Sequence, residues 1–145
     1  MSNVLAHIMA DRLTKDQRSA LMARVRNKNT RPELIVRRLA YRLGYRYRLH
    51  QKELPGTPDL AFRGRKKVIF VHGCFWHGHD CAAGRNVPAT KIEYWHDKLG
   101  KNRERDRRNE EAIIKMGWKY LIIWECETRN VEDLESKIID FLSGR

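Results

Sequence analysis

The chain of 145 residues contains no apolar run approaching the roughly 20 residues of a membrane-spanning helix. Its first stretch, Met1 to Arg12, has no apolar core followed by a small-residue cleavage site. No signal peptide is therefore expected, and a cytosolic protein is the expectation. Cysteine is scarce and odd in number: Cys74, Cys81 and Cys126. In a reducing compartment that count argues against a disulfide framework and leaves metal ligation or plain burial. Internal repeats and low-complexity stretches are missing too. Acidic residues are in short supply, 18 against 30 Lys and Arg, which gives a formal net charge of +12. Such a balance points to a polyanionic partner, though charge alone does not separate DNA from RNA or a membrane surface. With 41% hydrophobic residues the chain is globular, and its length suits one domain with a real core.

Residues 1–17 read as a lead-in and 18–145 as the single domain. Thr14 to Arg26 is a basic, mildly amphipathic helix with Leu21, Met22 and Val25 along one side. Thr30-Arg31-Pro32-Glu33 forms a capping box with proline in the first turn. The helix it opens carries Leu34, Ile35, Leu39 and Leu43 on one face and stops at Gly44. Tyr45 to His50 alternates as a strand does, Leu54 to Pro58 is a tight loop, and Asp59 to Phe62 and Lys67 to Val71 are strands, the second buried. Thr90 to Leu99 and Asn102 to Met116 read as two helices broken at Gly100. Trp118 to Trp124 is a central strand, and Asn130 caps a last helix to about Leu142. The order predicts a mixed sheet flanked by helices, α/β or α+β.

Four constellations carry chemistry. Cys74, His79 and Cys81 lie within eight residues, and Cys126 follows the last strand. Three thiolates and an imidazole make the closed tetrahedral set that structural zinc prefers, tying the loop to a distant strand. Buried free cysteines beside an unrelated histidine are the alternative. Asp59 opens one strand and Val71-His72 ends the next, so the Asp59 carboxylate, the Val71 carbonyl and the His72 ring can meet, with His77 across the loop. Oxygen ligands with retained waters suit magnesium, which polarises a phosphate and acidifies water. Taken alone, Asp59 reads better as a turn-ending aspartate, and only its convergence with His72 and His77 beside the cysteine loop favours a metal ligand. Phe75, Trp76 and Trp95 are expected to stand exposed for stacking on bases, with a place in the core as the alternative, whereas Trp118 reads as core. The run Lys98 to Arg108 is either a solvated helix face or a phosphate track.

At these residues the sequence resembles the very-short-patch-repair (Vsr) endonucleases. The likeness runs from Arg18 to Cys126 and is densest at Leu54-Pro55-Gly56-Thr57-Pro58-Asp59 and Phe70-Val71-His72-Gly73-Cys74-Phe75-Trp76-His77. It continues through Val87-Pro88-Ala89-Thr90, Trp95, Gly100-Lys101-Asn102, Arg105-Asp106-Arg107, Gly117-Trp118 and Trp124-Glu125-Cys126. The resemblance implies a restriction-endonuclease-like PD-(D/E)XK-type fold and a magnesium-dependent enzyme. Such an enzyme nicks one strand beside a T:G mismatch left by 5-methylcytosine deamination. It implies magnesium on Asp59 and the Val71 carbonyl, His72 and His77 at the scissile phosphate, and Glu33 near the metal's waters. Structural zinc falls on Cys74, His79, Cys81 and Cys126. Phe75, Trp76 and Trp95 become wedges in the DNA, Met22 approaches from the minor groove, and Lys98 and Asn102 read the T:G pair. The partner implied is double-stranded DNA with a T:G mismatch, with other mismatch-repair proteins as further partners and no membrane. An asymmetric mismatch needs no two-fold reader, so a monomer is expected. Val71 stands where the family often has threonine. Two other readings stay open: a nicking endonuclease with another target, and a non-catalytic zinc-containing DNA-binding module.

Overall fold

A computed structural model of the chain describes residues 28–144, so the expected first helix and Met22 on it lie outside the described residues. Helix α1, Arg31–Arg42, starts where the sequence signals it. The Thr30 hydroxyl accepts the Glu33 amide at 3.4 Å, with Pro32 in the first turn. The return arm of the box reaches one residue further back, where a Glu33 carboxylate oxygen accepts the Asn29 amide at 3.2 Å. The buried face is Val36, Leu39 and Ala40, with Ile35 and Leu43 packed at its border, so the helix is rotated slightly from the expected face. Gly44 ends it with φ of +97°, a left-handed turn that favours glycine.

Four strands follow in spatial order β1-β2-β3-β4: Arg48–Leu49, Leu60–Phe62, Lys67–His72 and Lys119–Trp124. The first three run antiparallel and β4 runs parallel to β3, with Val71 opposite Ile123 and His72 opposite Trp124. Two expectations are corrected. The strand expected from Tyr45 to His50 shrinks to Arg48–Leu49, because Tyr45 and Tyr47 turn their rings onto Phe62 in edge contacts. The strand expected at the centre, β4, pairs only with β3 among the described residues, and β3 is the buried interior strand.

Helix α2, Ile92–Lys115, is a single helix, not two broken at Gly100. One interior glycine costs about 1 kcal/mol relative to alanine. Against it stand long charged helix formers and ion pairs one turn apart, Asp97 with Lys101 at 3.1 Å and Arg107 with Glu111 at 2.5 Å. Helix α3, Val131–Ser143, is capped as expected by Asn130, whose side chain accepts the Asp133 amide at 3.1 Å.

The period of two along the sheet sorts the core into two layers. Leu60, Phe62, Ile69 and Ile123 pack with Val36 and Leu39 of α1 and Leu134, Ile138 and Leu142 of α3. Ala61, Val68 and Phe70 pack with Ile113 of α2, and Trp118 joins them. The domain is therefore a mixed α/β sandwich with helices on both faces of the sheet. The loop that leaves β3 at Gly73 lies between the sheet end and α2.

Candidate active site

A cleft of about 450 Å³ opens where β3 ends beneath α2, lined among others by Asp59, Val71, His72, His77, Arg105 and Asp106. The tight loop before it is built around Gly56, whose φ is +78° and where an added Cβ would come within 3.0 Å of Asn109 and the Phe70 ring. That close approach delivers Asp59 to the head of β2. Its Oδ2 accepts the Val71 amide at 2.7 Å, so Asp59 and Val71 do meet, through the N–H of Val71.

Glu33, buried at the start of α1, lies behind Asp59. It receives Arg37 at 3.1 Å and pairs with His50 Nε2 at 3.0 Å. Ligating atoms of Glu33, His50 and Asp59 all lie within 4.8 Å of one another. Burial pushes the Asp59 carboxyl up to about 7, and the neighbouring Glu33 charge adds to this against the lowering by the Val71 amide. Burial raises Glu33 as well, yet its bonds to His50, Asp59 and Arg37 outweigh that and leave it below the ordinary carboxylate value. Two carboxylates this close, one held at a raised pKa, form a donor set whose repulsion a hard divalent cation would relieve.

The other end of the cleft is a stack. The His72 and His77 rings lie 3.8 Å apart and within 5° of parallel. His77 Nδ1 contacts Asp106 Oδ2 of α2 at 2.5 Å. A carboxylate only accepts, so Nδ1 carries the hydrogen and Nε2 is left as an acceptor. His72 is buried, and its Nδ1 has no hydrogen-bond partner among the described residues. Burial drives its pKa down to about 3, with His77 and Arg105 pushing the same way against Asp106, so at neutral pH the ring is uncharged.

Behind His77 the loop folds on its own donors. Ligating atoms of Cys74, His79, Cys81 and Cys126 all lie within 4.8 Å of one another, and the cysteines are free. Cys126 Sγ sits 3.6 Å from His79 Nδ1, and the Cys126 amide points at Cys74 Sγ at 3.4 Å. The His79 ring stacks on Trp124 at 4.2 Å. Gly84 is required here because an added Cβ would fall 1.8 Å from the His79 carbonyl oxygen. Burial pushes the Cys74 thiol up to about 12, so a cation is needed to hold it as thiolate. Three sulfurs and one imidazole within tetrahedral reach fit a soft-ligand metal site.

The sequence model of DNA mismatch endonuclease Vsr matches residues 10–83. The type II nicking enzyme V.XorIIP of Xanthomonas oryzae pv. oryzae is 48% identical over 92% of this chain and 98% of its own. DNA mismatch endonuclease Vsr of Escherichia coli is 40% identical over 90% of this chain and 83% of its own. The type II nicking enzyme V.NmeAIP of Neisseria meningitidis is 41% identical over 84% and 86%. This chain belongs to the Vsr family.

Within this Vsr-family chain the aromatic expectation is corrected. Phe75 and Trp95 are buried, with 7% and 4% of their surface exposed, and with Leu99 they form a small core of their own. Trp76 and Val87 pack at its edge. A metal-anchored loop buries two adjacent aromatics because α2 supplies the missing wall: Phe75 meets Trp95 edge-on at 5.5 Å, and Trp76 meets Trp95 at 6.1 Å. Asn102 donates to the Trp76 carbonyl at 2.9 Å and so fastens the loop to the helix, while Lys98, half-buried, lies one turn before it.

Sequence reasoning missed two members of the site. Asp106 reads as one acid in a basic run, yet Asn102, Asp106 and Glu110 recur every four residues and share the α2 face above the loop. That period was the available signal. His50 had none, since its position beside Glu33 depends on how α1 crosses β1.

Proposed function

We propose that this chain is a magnesium-dependent endonuclease that nicks one strand of duplex DNA beside a T:G mismatch, in very short patch repair. The observation that carries the proposal is the joining, in one cleft of a Vsr-family chain, of Asp59, backed by the buried Glu33, and a hydrogen-bonded histidine stack. The three-layer arrangement supports a restriction-endonuclease-like fold as the scaffold. Residues 18–145 serve as one domain behind a lead-in at 1–17, acting as a monomer in the cytoplasm on the nucleoid.

Asp59 and the Val71 carbonyl hold magnesium, with Glu33 near its waters. When bound, the metal polarises the scissile phosphate and offsets the charge of the carboxylate pair. His77, fixed by Asp106 through Nδ1, offers Nε2 to the attacking water. The neutral His72 ring beneath it fixes its plane and hydrogen-bonds at the phosphate. Arg105 on the cleft rim faces the phosphate charge. Zinc on Cys74, His79, Cys81 and Cys126 keeps His77 in register. Phe75, Trp76 and Trp95 leave their own cluster to enter the base stack, and a T:G wobble deforms at less cost than a matched pair. Lys98 and Asn102 read the mismatch, and Met22 approaches from the minor groove. Other mismatch-repair proteins act downstream of the nick.

The test is a nicking assay on labelled matched and T:G duplexes, with and without magnesium, alongside Asp59→Ala. A magnesium-dependent nick confined to T:G, bound but uncut by the variant, is expected. Cutting of both duplexes would favour a second reading, a nick at another target, for which the nicking-enzyme names of several relatives speak. Binding without cutting in any context would leave a DNA-binding zinc module.

A further inference from the structure

A second concavity of about 430 Å³ lies on the far side of the zinc-type loop from the cleft, between that loop and α2. Its charged lining is uneven. Arg85, His96 and Arg103 contribute cationic or donor groups, and Asp80 is the single acid. Asp80 stands at the rim, with 88% of its side chain exposed, and engages Arg85 loosely at 3.5 Å. Arg103 has no carboxylate partner among the described residues, although Glu104 and Asp106 are close in sequence. Those two acids are taken, Glu104 by Arg107 and Asp106 by His77.

Arg103 lies against the loop. Its side chain lies over Gly78, where φ is +63° and an added Cβ would come within 2.5 Å of the guanidinium Nη1 and 3.1 Å of Cδ. The absence of a side chain at Gly78 leaves room for the guanidinium beside the loop. An unpaired guanidinium in a concave, basic wall is a receptor for an anion that offers its fork two acceptor oxygens, as a phosphodiester does. The same helix sends Asp106 to the cleft and Arg103 to this pocket, so one rigid element spans both.

We propose that this pocket, centred on Arg103 with Arg85 and His96, is a phosphodiester subsite that takes a backbone phosphate of the duplex away from the one that is cut. This rests on the reading of the chain as a DNA nuclease and adds to it a fixed second point of attachment, which sets the register of the strand in the cleft. Backbone contacts position a duplex without reading its sequence, so the subsite acts equally on matched and mismatched DNA.

The experiment measures equilibrium binding of the full chain to a matched and a T:G duplex across a salt series, for wild type, Arg103→Gln, Arg103→Lys and Asp80→Asn. Arg103→Gln is expected to weaken both duplexes equally, about tenfold, and to flatten the log–log salt slope by about 0.9. Arg103→Lys should keep the slope and lose part of the affinity. Asp80→Asn, at an exposed position, should tighten binding several-fold. Unchanged metal content in all three guards against a collapsed loop. An unaltered affinity and slope in Arg103→Gln, together with no gain in Asp80→Asn, overturns the subsite. So does a loss confined to the T:G duplex, which would make Arg103 a reader of the mismatch. A wild-type chain that binds and nicks a duplex other than T:G would sink the mismatch reading while leaving the subsite measurable on that duplex.

Discussion

His77 is held from two sides, by the parallel ring of His72 at 3.8 Å and by the Asp106 carboxylate at 2.5 Å. The stack fixes the plane of the imidazole and the carboxylate fixes which nitrogen carries the hydrogen. Asp106→Asn preserves shape but allows the amide to donate, which reverses the hydrogen-bond polarity at Nδ1. The turnover of nicking should fall about 100-fold, within the range for general acid–base groups. Duplex affinity should stay within about twofold, since no phosphate contact is lost. Single-turnover cleavage measured beside equilibrium binding separates the two. A loss in binding with intact turnover would place Asp106 outside the chemistry.

Burial acts on Asp59 and His72 with opposite consequences for stability. The Asp59 carboxyl rises from 3.8 to about 7, so the folded state holds its proton more tightly and stability falls as pH climbs through that window. The His72 ring drops from 6.5 to about 3, so the unfolded state takes the proton first and stability is lost as pH falls below 6.5. Between pH 5 and 6.5 the two offset in wild type. In Asp59→Asn only the histidine remains, and stability should climb with pH by about 1 kcal/mol per unit. In His72→Asn it should decline by a similar amount. Urea unfolding in magnesium-free buffer reads both slopes, and identical slopes in the three proteins would mean neither group is shifted as described.

Much of this site was legible beforehand because its donors are chemically uncommon and close in sequence. Cys74, His79 and Cys81 announce a metal loop by spacing, and Cys126 follows by being the remaining thiol. Asp59 and His72 reach one cleft because Asp59 precedes β2 and His72 ends its neighbour β3, which alternation and turn residues disclose, but Asp59 bonds the Val71 amide while the His72 ring stacks on His77. The burial of Phe75 and Trp95 was not legible, since it depends on α2 folding back over the loop, a tertiary wall that no local pattern contains. The position of β4 at the sheet end escaped for a similar reason: Ile123 packs on one face with α1 and α3, and Tyr120 and Ile122 pack on the other with Ile113 of α2, so the strand reads like one flanked by neighbours. His50 joined Glu33 only through the crossing of α1 and β1.

Loss of the zinc proposed at the cysteine loop should cost more than catalysis. Cys126 is the donor that joins the loop to the element after β4, and its amide also points at Cys74 Sγ. Cys126→Ser should lower bound zinc to well below one per chain and reduce stability on the order of 3–5 kcal/mol. Cys74, already strongly disfavoured as thiolate by burial, then loses its cation. Metal analysis and thermal unfolding before and after chelation provide the check. Full stability in the chelated wild type would show that packing of His79 on Trp124 suffices without metal.

Gly100 decides whether α2 is one helix in solution. Its φ is not among the positive values, and an added Cβ would meet nothing within 4 Å. Alanine there removes unfolded-state freedom and places the best helix former in a helix interior. Gly100→Ala should therefore stabilise the protein by about 0.5–1 kcal/mol. Were the chain instead two helices joined by a left-handed glycine, the same change would strain the junction and destabilise by a similar amount or more. The sign of the shift in the urea midpoint thus separates a continuous 24-residue helix from a broken one. The distinction reaches function, because only a continuous helix carries Trp95 of the aromatic cluster, Arg103 over Gly78 and Asp106 against His77 on one rigid rod.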